Sequence, residues 1–242
     1  MSDGDAFGLV GTLFAEHYEV ARCIAEGRTG LVYAARDARS GRDVALKVLR
    51  PALCENKDVV DAFLGEAEVA SAIRHAAVVE ILEVGATANG WIYVAMERIV
   101  GGEDLASYLR HTGPLPWSRV RPLGIQLCHA VDAGHRQGVI HRYLSTARCL
   151  RMVDQRDRER IKLLGFGVAG ILPGGERSVA SAPYAAPEQL AAAPLDRRVD
   201  VFAVGAILYE LLTNQVPFRG ETVPEICINI VNTEPTPLGE LR

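Results

Sequence analysis

Between His141 and Arg148 the chain reads H-R-Y-L-S-T-A-R, with Gly165-Phe166-Gly167 downstream. The run is rich in polar side chains, yet none is a carboxylate. A tyrosine has an ordinary pKa of about 10, so Tyr143 is neutral near pH 7 and a poor proton acceptor. Arg148 brings a permanent positive charge and no lone pair, which attracts anions and repels metal ions. Gly165 has no side chain to offer. Magnesium requires hard oxygen ligands, chiefly carboxylates. The nearest ones in sequence, Asp154, Asp157 and Glu159, fall on the turn of a hairpin. Arg148 can hold an anion, whereas Tyr143 is unsuited as a base and neither Arg148 nor Gly165 can hold a divalent ion.

The elements that position them follow from periodicity. From Tyr18 to Leu49 the chain reads as three strands, with turns at Glu26-Gly27-Arg28 and Ser40-Gly41-Arg42. Strand side chains alternate, so Val44, Leu46 and Val48 share one face while Ala45 and Lys47 share the other. Lys47 therefore points beside a small residue toward a cavity in which a nucleotide could lie. Asp58–Arg74 has the spacing of a helix, through Val59, Phe63, Val69 or Ala70, and Ile73. Residues 78–84 and 91–96 read as two more strands that close a small antiparallel sheet. Beyond Gly101-Gly102 the pattern is helical. One long helix spans 117–137 and stops at Gly138, and another spans 199–212, apolar nearly all round as for a buried central helix. The charged stretch 154–160 is a solvated turn between short strands.

These runs resemble, in order, the motifs of the protein kinase family. Residues 24–33, I-A-E-G-R-T-G-L-V-Y, are similar to its glycine-rich loop, with Ala25 at the first glycine. V-A-L-K at 44–47 resembles the strand carrying the phosphate-pairing lysine. Phe63-Leu64-Gly65-Glu66 resembles the helix whose glutamate pairs that lysine. Glu66 and Glu68 both compete for this role, and lie about 200° apart around a helix; the spacing from Phe63 and to Ile73 favours Glu66. Met96-Glu97 is similar to the hinge, H-R-Y-L-S-T-A-R to the catalytic loop H-R-D-L-x-x-x-N, and Gly165-Phe166-Gly167 to the metal-binding D-F-G. Ala186-Pro187-Glu188 matches A-P-E, and Asp200 opens a stretch similar to the buried helix of the large lobe. The style is that of the bacterial serine/threonine kinases.

The resemblance implies an α+β, two-lobed protein-kinase-like fold. A leader over 1–17 precedes an N-lobe over 18–97, a small antiparallel sheet plus one helix. A larger, mainly helical C-lobe over 98–242 lacks its last helices, which leaves Glu188 without the arginine it pairs with in the family. The catalytic positions are degenerate. Tyr143 stands for the catalytic Asp, Ser145 for the lysine near the transferred phosphate, Arg148 for the metal-binding Asn and Gly165 for the metal-binding Asp. No catalytic or metal-holding residue is therefore expected. Nucleotide-binding positions survive: Gly27 and Gly30 in the loop, Val32, Ala45 and Leu150 around adenine, the Glu97 and Ile99 backbone at the hinge, and Lys47 with Glu66. His141 and Phe166 match the buried spine between the lobes, and Asp200 the anchor beneath the catalytic loop. Arg142 is the expected receiver of a phosphate on Ser178 or Ser181.

The expected function is that of a pseudokinase, a nucleotide-binding or protein-binding regulatory module in signalling. ATP is the implied cofactor, bound without magnesium. Two rival expectations are a serine/threonine kinase with atypical residual transfer and a scaffold that binds no nucleotide. A charged fraction of 23%, a hydrophobic fraction of 49% and a net charge of −4 fit a globular chain and argue against general nucleic-acid binding. Five scattered cysteines without a C-x-x-C pair read as reduced thiols rather than a disulfide framework or zinc site. With no signal peptide and no apolar run of roughly 18 residues, the segment is expected to be cytoplasmic, without membrane contact.

Overall fold

The structure is a computed structural model that describes residues 5–27, 29–166, 178–191 and 194–241. Arg28, residues 167–177, residues 192–193 and Arg242 lie outside the described residues.

The N-terminal half is a six-stranded antiparallel sheet in the order β1-β2-β3-β4-β6-β5. Its strands are β1 (Leu13–Phe14), β2 (Tyr18–Glu26), β3 (Gly30–Asp37), β4 (Asp43–Leu49), β5 (Ile81–Ala86) and β6 (Ile92–Glu97). Alternation divides its faces as the sequence pattern predicts. Leu31, Tyr33, Val44, Leu46, Val48 and Tyr93 pack on the outer face with Phe14, Tyr18 and Val20. The register sets Val32 opposite Lys47 and Ala34 opposite Ala45, so these occupy the inner face. Gly30 begins β3 where a Cβ would run into the Val48 carbonyl oxygen. Only a residue without a side chain permits that approach.

Residues 5–17 are not a loose leader. Phe7, Leu9 and Val10 pack against the outer core, and the Phe7 ring lies 5.2 Å from that of Trp91. Asp5 accepts hydrogen bonds from the Leu9 and Val10 amides and, at 2.9 Å, from the Tyr33 hydroxyl. The apolar residues at 7, 9, 10 and 14 follow neither helix nor strand period, because they cover a sheet face as a wrapped segment.

The short α1 (Pro51–Cys54) leads into α2 (Lys57–Ser71), capped by Asn56, whose Oδ1 accepts from the Val59 amide at 3.2 Å. Phe63, Ala67 and Ala70 bury one face of α2 against Leu49 and Val94 of the sheet. Below lie, among the described residues, a three-stranded sheet, β7 (Glu103–Asp104), β8 (Cys149–Val153) and β9 (Glu159–Leu163), and the helices α3 (Leu105–Thr112), α4 (Trp117–Arg136), α5 (Pro187–Leu190), α6 (Arg198–Thr213) and α7 (Val223–Asn232). The core is continuous from α2 through α4 to α6, since Phe63, Leu127, Phe166 and Ile207 belong to one cluster. Helix α6 is buried on most sides, as its all-round apolar sequence requires. On α7, Ile226 and Ile230 turn inward beside Phe218, while Ile228 and Val231 face outward. Among the described residues no helix is long and apolar enough to cross a membrane.

Candidate functional site

The cleft between sheet and helices encloses about 820 Å³. Its roof is the β2–β3 turn, closed by a Gly27 amide that donates to the Gly30 carbonyl at 2.9 Å. Arg50 staples this turn from β4's end, donating to the Gly27 carbonyl at 3.1 Å and to Glu26 at 2.7 Å. The apolar walls are Val32 and Ala45 from above and Leu150 from below, with Glu97 and Ile99 along the connecting segment. Gly27, Gly30, Val32, Ala45, Lys47, Glu97, Ile99 and Leu150 thus come together as the sequence suggests. Tyr143, Ser145, Arg148, Gly165, Ser178 and Ser181 share the same cavity.

A buried carboxylate holds the floor. Asp200, fully buried, accepts from the His141 and Arg142 amides, both at 2.8 Å, and from His135 Nε2 at 2.7 Å. This fixes a turn in which Arg142 has φ +66°, a conformation that needs such outside support. His141 is buried, and burial lowers its pKa, so the ring is neutral. The amide of Tyr143 donates to Nδ1, which leaves Nε2–H to donate to the Leu164 carbonyl at 2.9 Å. The ring meets Phe166 edge-on at 4.7 Å, and Phe166 in turn rests where Gly134 of α4 has no side chain. Tyr143, Arg148 and Gly165 are therefore presented to the cleft by a rigid frame.

The charges in that frame are mostly cations. Burial, and secondly the Arg148 guanidinium, bring the Lys47 ammonium down to about 7. Burial also lowers the Arg148 pKa. Among the described residues the Arg148 side chain has no hydrogen bond or ion pair, whereas its backbone is tied to Ser145 and Leu164 at 3.0 and 2.9 Å. Among the described residues the acids lining the cleft are each paired: Glu26 with Arg50, and Glu97 with Lys162 of β9 at 2.7 Å. Among the described residues no group of three His, Cys, Asp or Glu side chains could hold a metal ion. Among the described residues the cations lining the cleft fit a polyanion beside an apolar wall.

Two expected roles are met differently. Glu66, expected against Lys47, instead accepts from Arg142 Nη1 at 3.0 Å. Helix α2 buries Phe63, Ala67 and Ala70, which leaves Glu66 on an exposed face with its side chain 44% accessible, opposite an Arg142 turned outward. Neither residue lines the cleft. Arg142, expected to receive a phosphate from Ser178 or Ser181, donates Nη1 to Glu66 in the unphosphorylated chain. Among the described residues no hydrogen bond joins it to either serine. The serines bond each other instead, with the Ser178 amide donating to Ser181 Oγ at 2.9 Å.

Arg22, Ile24 and Leu164 also line the cleft and were not singled out from sequence. Arg22 and Ile24 are spaced as same-face neighbours, but register shifts after Val20 and Cys23 break the simple alternation along β2. The Glu97–Lys162 strut was equally hidden, because it joins residues far apart in sequence.

The model of the protein kinase domain matches residues 18–237. The chain is 33% identical over 238 residues to a probable serine/threonine-protein kinase of Corynebacterium efficiens, covering 94% of this chain and 35% of that protein. It is 32% identical over 246 residues to serine/threonine-protein kinase Pkn3 of Myxococcus xanthus, covering 98% and 45%. It is 32% identical over 233 residues to PknB of Mycolicibacterium smegmatis, covering 92% and 36%. The chain thus spans less than half the length of these curated relatives. The crystal structure of the Mycobacterium tuberculosis PknI kinase domain superposes with a TM-score of 0.73 at 27% identity, covering 93% of this chain and 82% of that one.

Proposed function

The chain belongs to the protein kinase family, and from that premise we propose that it is a member without phosphoryl transfer: a pseudokinase that binds ATP without magnesium and acts on a protein partner in signalling. The observation that carries this reading is the company in the cleft. Tyr143, Arg148 and Gly165 project from the catalytic frame into the nucleotide cavity, where transfer needs a base and two metal ligands. Loss of a general base alone forfeits about 10²–10⁴-fold in rate. Loss of the metal removes the main stabilisation of charge on the transferred group. Lys47 and Arg148 keep the means to hold phosphates, and Val32, Ala45 and Leu150 keep the apolar slot for a base.

A thermal melt with ATP, run with magnesium and with EDTA, tests the reading beside a transfer assay using labelled ATP. Saturation to about 100-fold over Kd stabilises by about 2.7 kcal/mol, a rise of roughly 5–10 °C at this size. The expected result is a rise that survives EDTA, with no transfer. The names of the relatives favour a second reading, a serine/threonine kinase with residual activity. Magnesium-dependent transfer that disappears in Lys47→Met would establish it and sink the first. No rise in either buffer would leave a scaffold that works through protein contacts alone.

A further inference from the structure

We infer that this cleft selects the uncomplexed nucleotide and that magnesium antagonises its binding, with Arg148 as the residue that discriminates. The inference rests on the nucleotide-binding reading above and adds a sign to its metal dependence.

Two cations face the cavity from opposite lobes. Lys47 comes from β4 of the sheet, and Arg148 from the 3₁₀ turn Thr146–Arg148 beneath it. Both line the same cavity, and the Arg148 guanidinium adds to burial in lowering the Lys47 pKa. The Arg148 side chain has no hydrogen bond or ion pair among the described residues, and its backbone is fixed by bonds to Ser145 and Leu164. Among the described residues the acids lining the cleft, Glu26 and Glu97, are paired with Arg50 and Lys162. Arg148 is therefore a buried permanent cation in the cavity that a negative ligand would answer. A free triphosphate answers it fully. A magnesium complex cancels two of those negative charges and brings a divalent ion, which must keep oxygen ligands at about 2.0–2.1 Å, up to a permanent guanidinium. Gly165 and Tyr143 offer no carboxylate in compensation. Two like unit charges about 6 Å apart at an effective dielectric of about 20 weaken binding by roughly 100-fold.

Calorimetric titration of ATP into the full chain, in EDTA and in excess magnesium chloride at matched ionic strength, reads the effect directly. The expected result is a Kd at least about tenfold weaker in magnesium. Arg148→Ala should bind free ATP about tenfold more weakly and lose the difference between the two buffers. Arg148→Lys keeps the charge and should keep the difference. The double change Arg148→Asn with Gly165→Asp should invert it, so that magnesium tightens binding. Ligand-free melts of each variant separate these effects from failure to fold. Equal or tighter binding in magnesium by the unaltered chain would overturn the antagonism and leave the nucleotide reading standing. Absence of binding heat and of any thermal shift in both buffers would overturn both.

Discussion

Replacing Lys47 by methionine should make the ligand-free protein more stable, and the gain should depend on pH in a set direction. Burial and Arg148 bring the Lys47 ammonium from an ordinary 10.5 to about 7. Above pH 10.5 the residue is neutral in both folded and unfolded chains. As the pH falls from there, the unfolded chain takes up a proton that the folded one resists until about pH 7. Stability drops by about 1.4 kcal/mol for each pH unit over that window and levels off below it. At pH 7 the accumulated cost is about 4 kcal/mol. Methionine has a similar reach and no charge, so it removes this cost, less about 1 kcal/mol for the polar contact that Lys47 gives up. A net gain of about 2–4 kcal/mol corresponds to a melting point raised by roughly 5–15 °C. Urea titrations of both proteins between pH 6.5 and 8.5 read the gain and its slope. The methionine variant's advantage should shrink as the pH rises. An advantage that is flat across this range, or a less stable variant, would refute the idea that Lys47 is a strained cation held ready for an anion.

Other perturbations follow from the same geometry. Asp200→Asn leaves one of the donors from His141, Arg142 and His135 facing an amide NH₂, which should cost about 2–4 kcal/mol. Faster hydrogen exchange at the His141 and Arg142 amides would locate the loss, and unchanged stability would contradict the anchoring role. Glu66→Gln should cost no more than about 1 kcal/mol, because both partners of the Glu66–Arg142 pair are more than a third exposed. A urea titration giving a loss well beyond that would mean the pair is more than a surface contact.

Much of the frame was legible in residue order. The alternation of V-A-L-K put Lys47 and Ala45 on one face whatever surrounds them, and both line the cleft. The long helix expected at 117–137 spans Trp117–Arg136, because its periodicity is local and strong. The helix bearing Glu66 was found at Lys57–Ser71, within three residues of the expected limits. Its partner was not. The choice between Lys47 and Arg142 depends on how far α2 lies from β4 and on the outward turn of the His141–Arg142 backbone, neither of which is written locally. Ile24 was hidden for a similar reason, since irregular pairing along β2 upsets the count of faces. The packing of Phe7, Leu9 and Val10 requires a sheet surface assembled from distant strands.

The sequence by itself determined which side chains stand at the positions where the family carries its base and metal ligands. A phenol, a guanidinium and a glycine carry no carboxylate in any fold, because that is a property of the side chains alone. Only the tertiary structure decided what the remaining charges do. It pairs Glu26 and Glu97 with Arg50 and Lys162, sets Glu66 on Arg142, and leaves Arg148 in the cavity opposite Lys47. Charge pairing is a matter of distance and burial between residues far apart in the chain, and those are fixed when the two lobes close around one core.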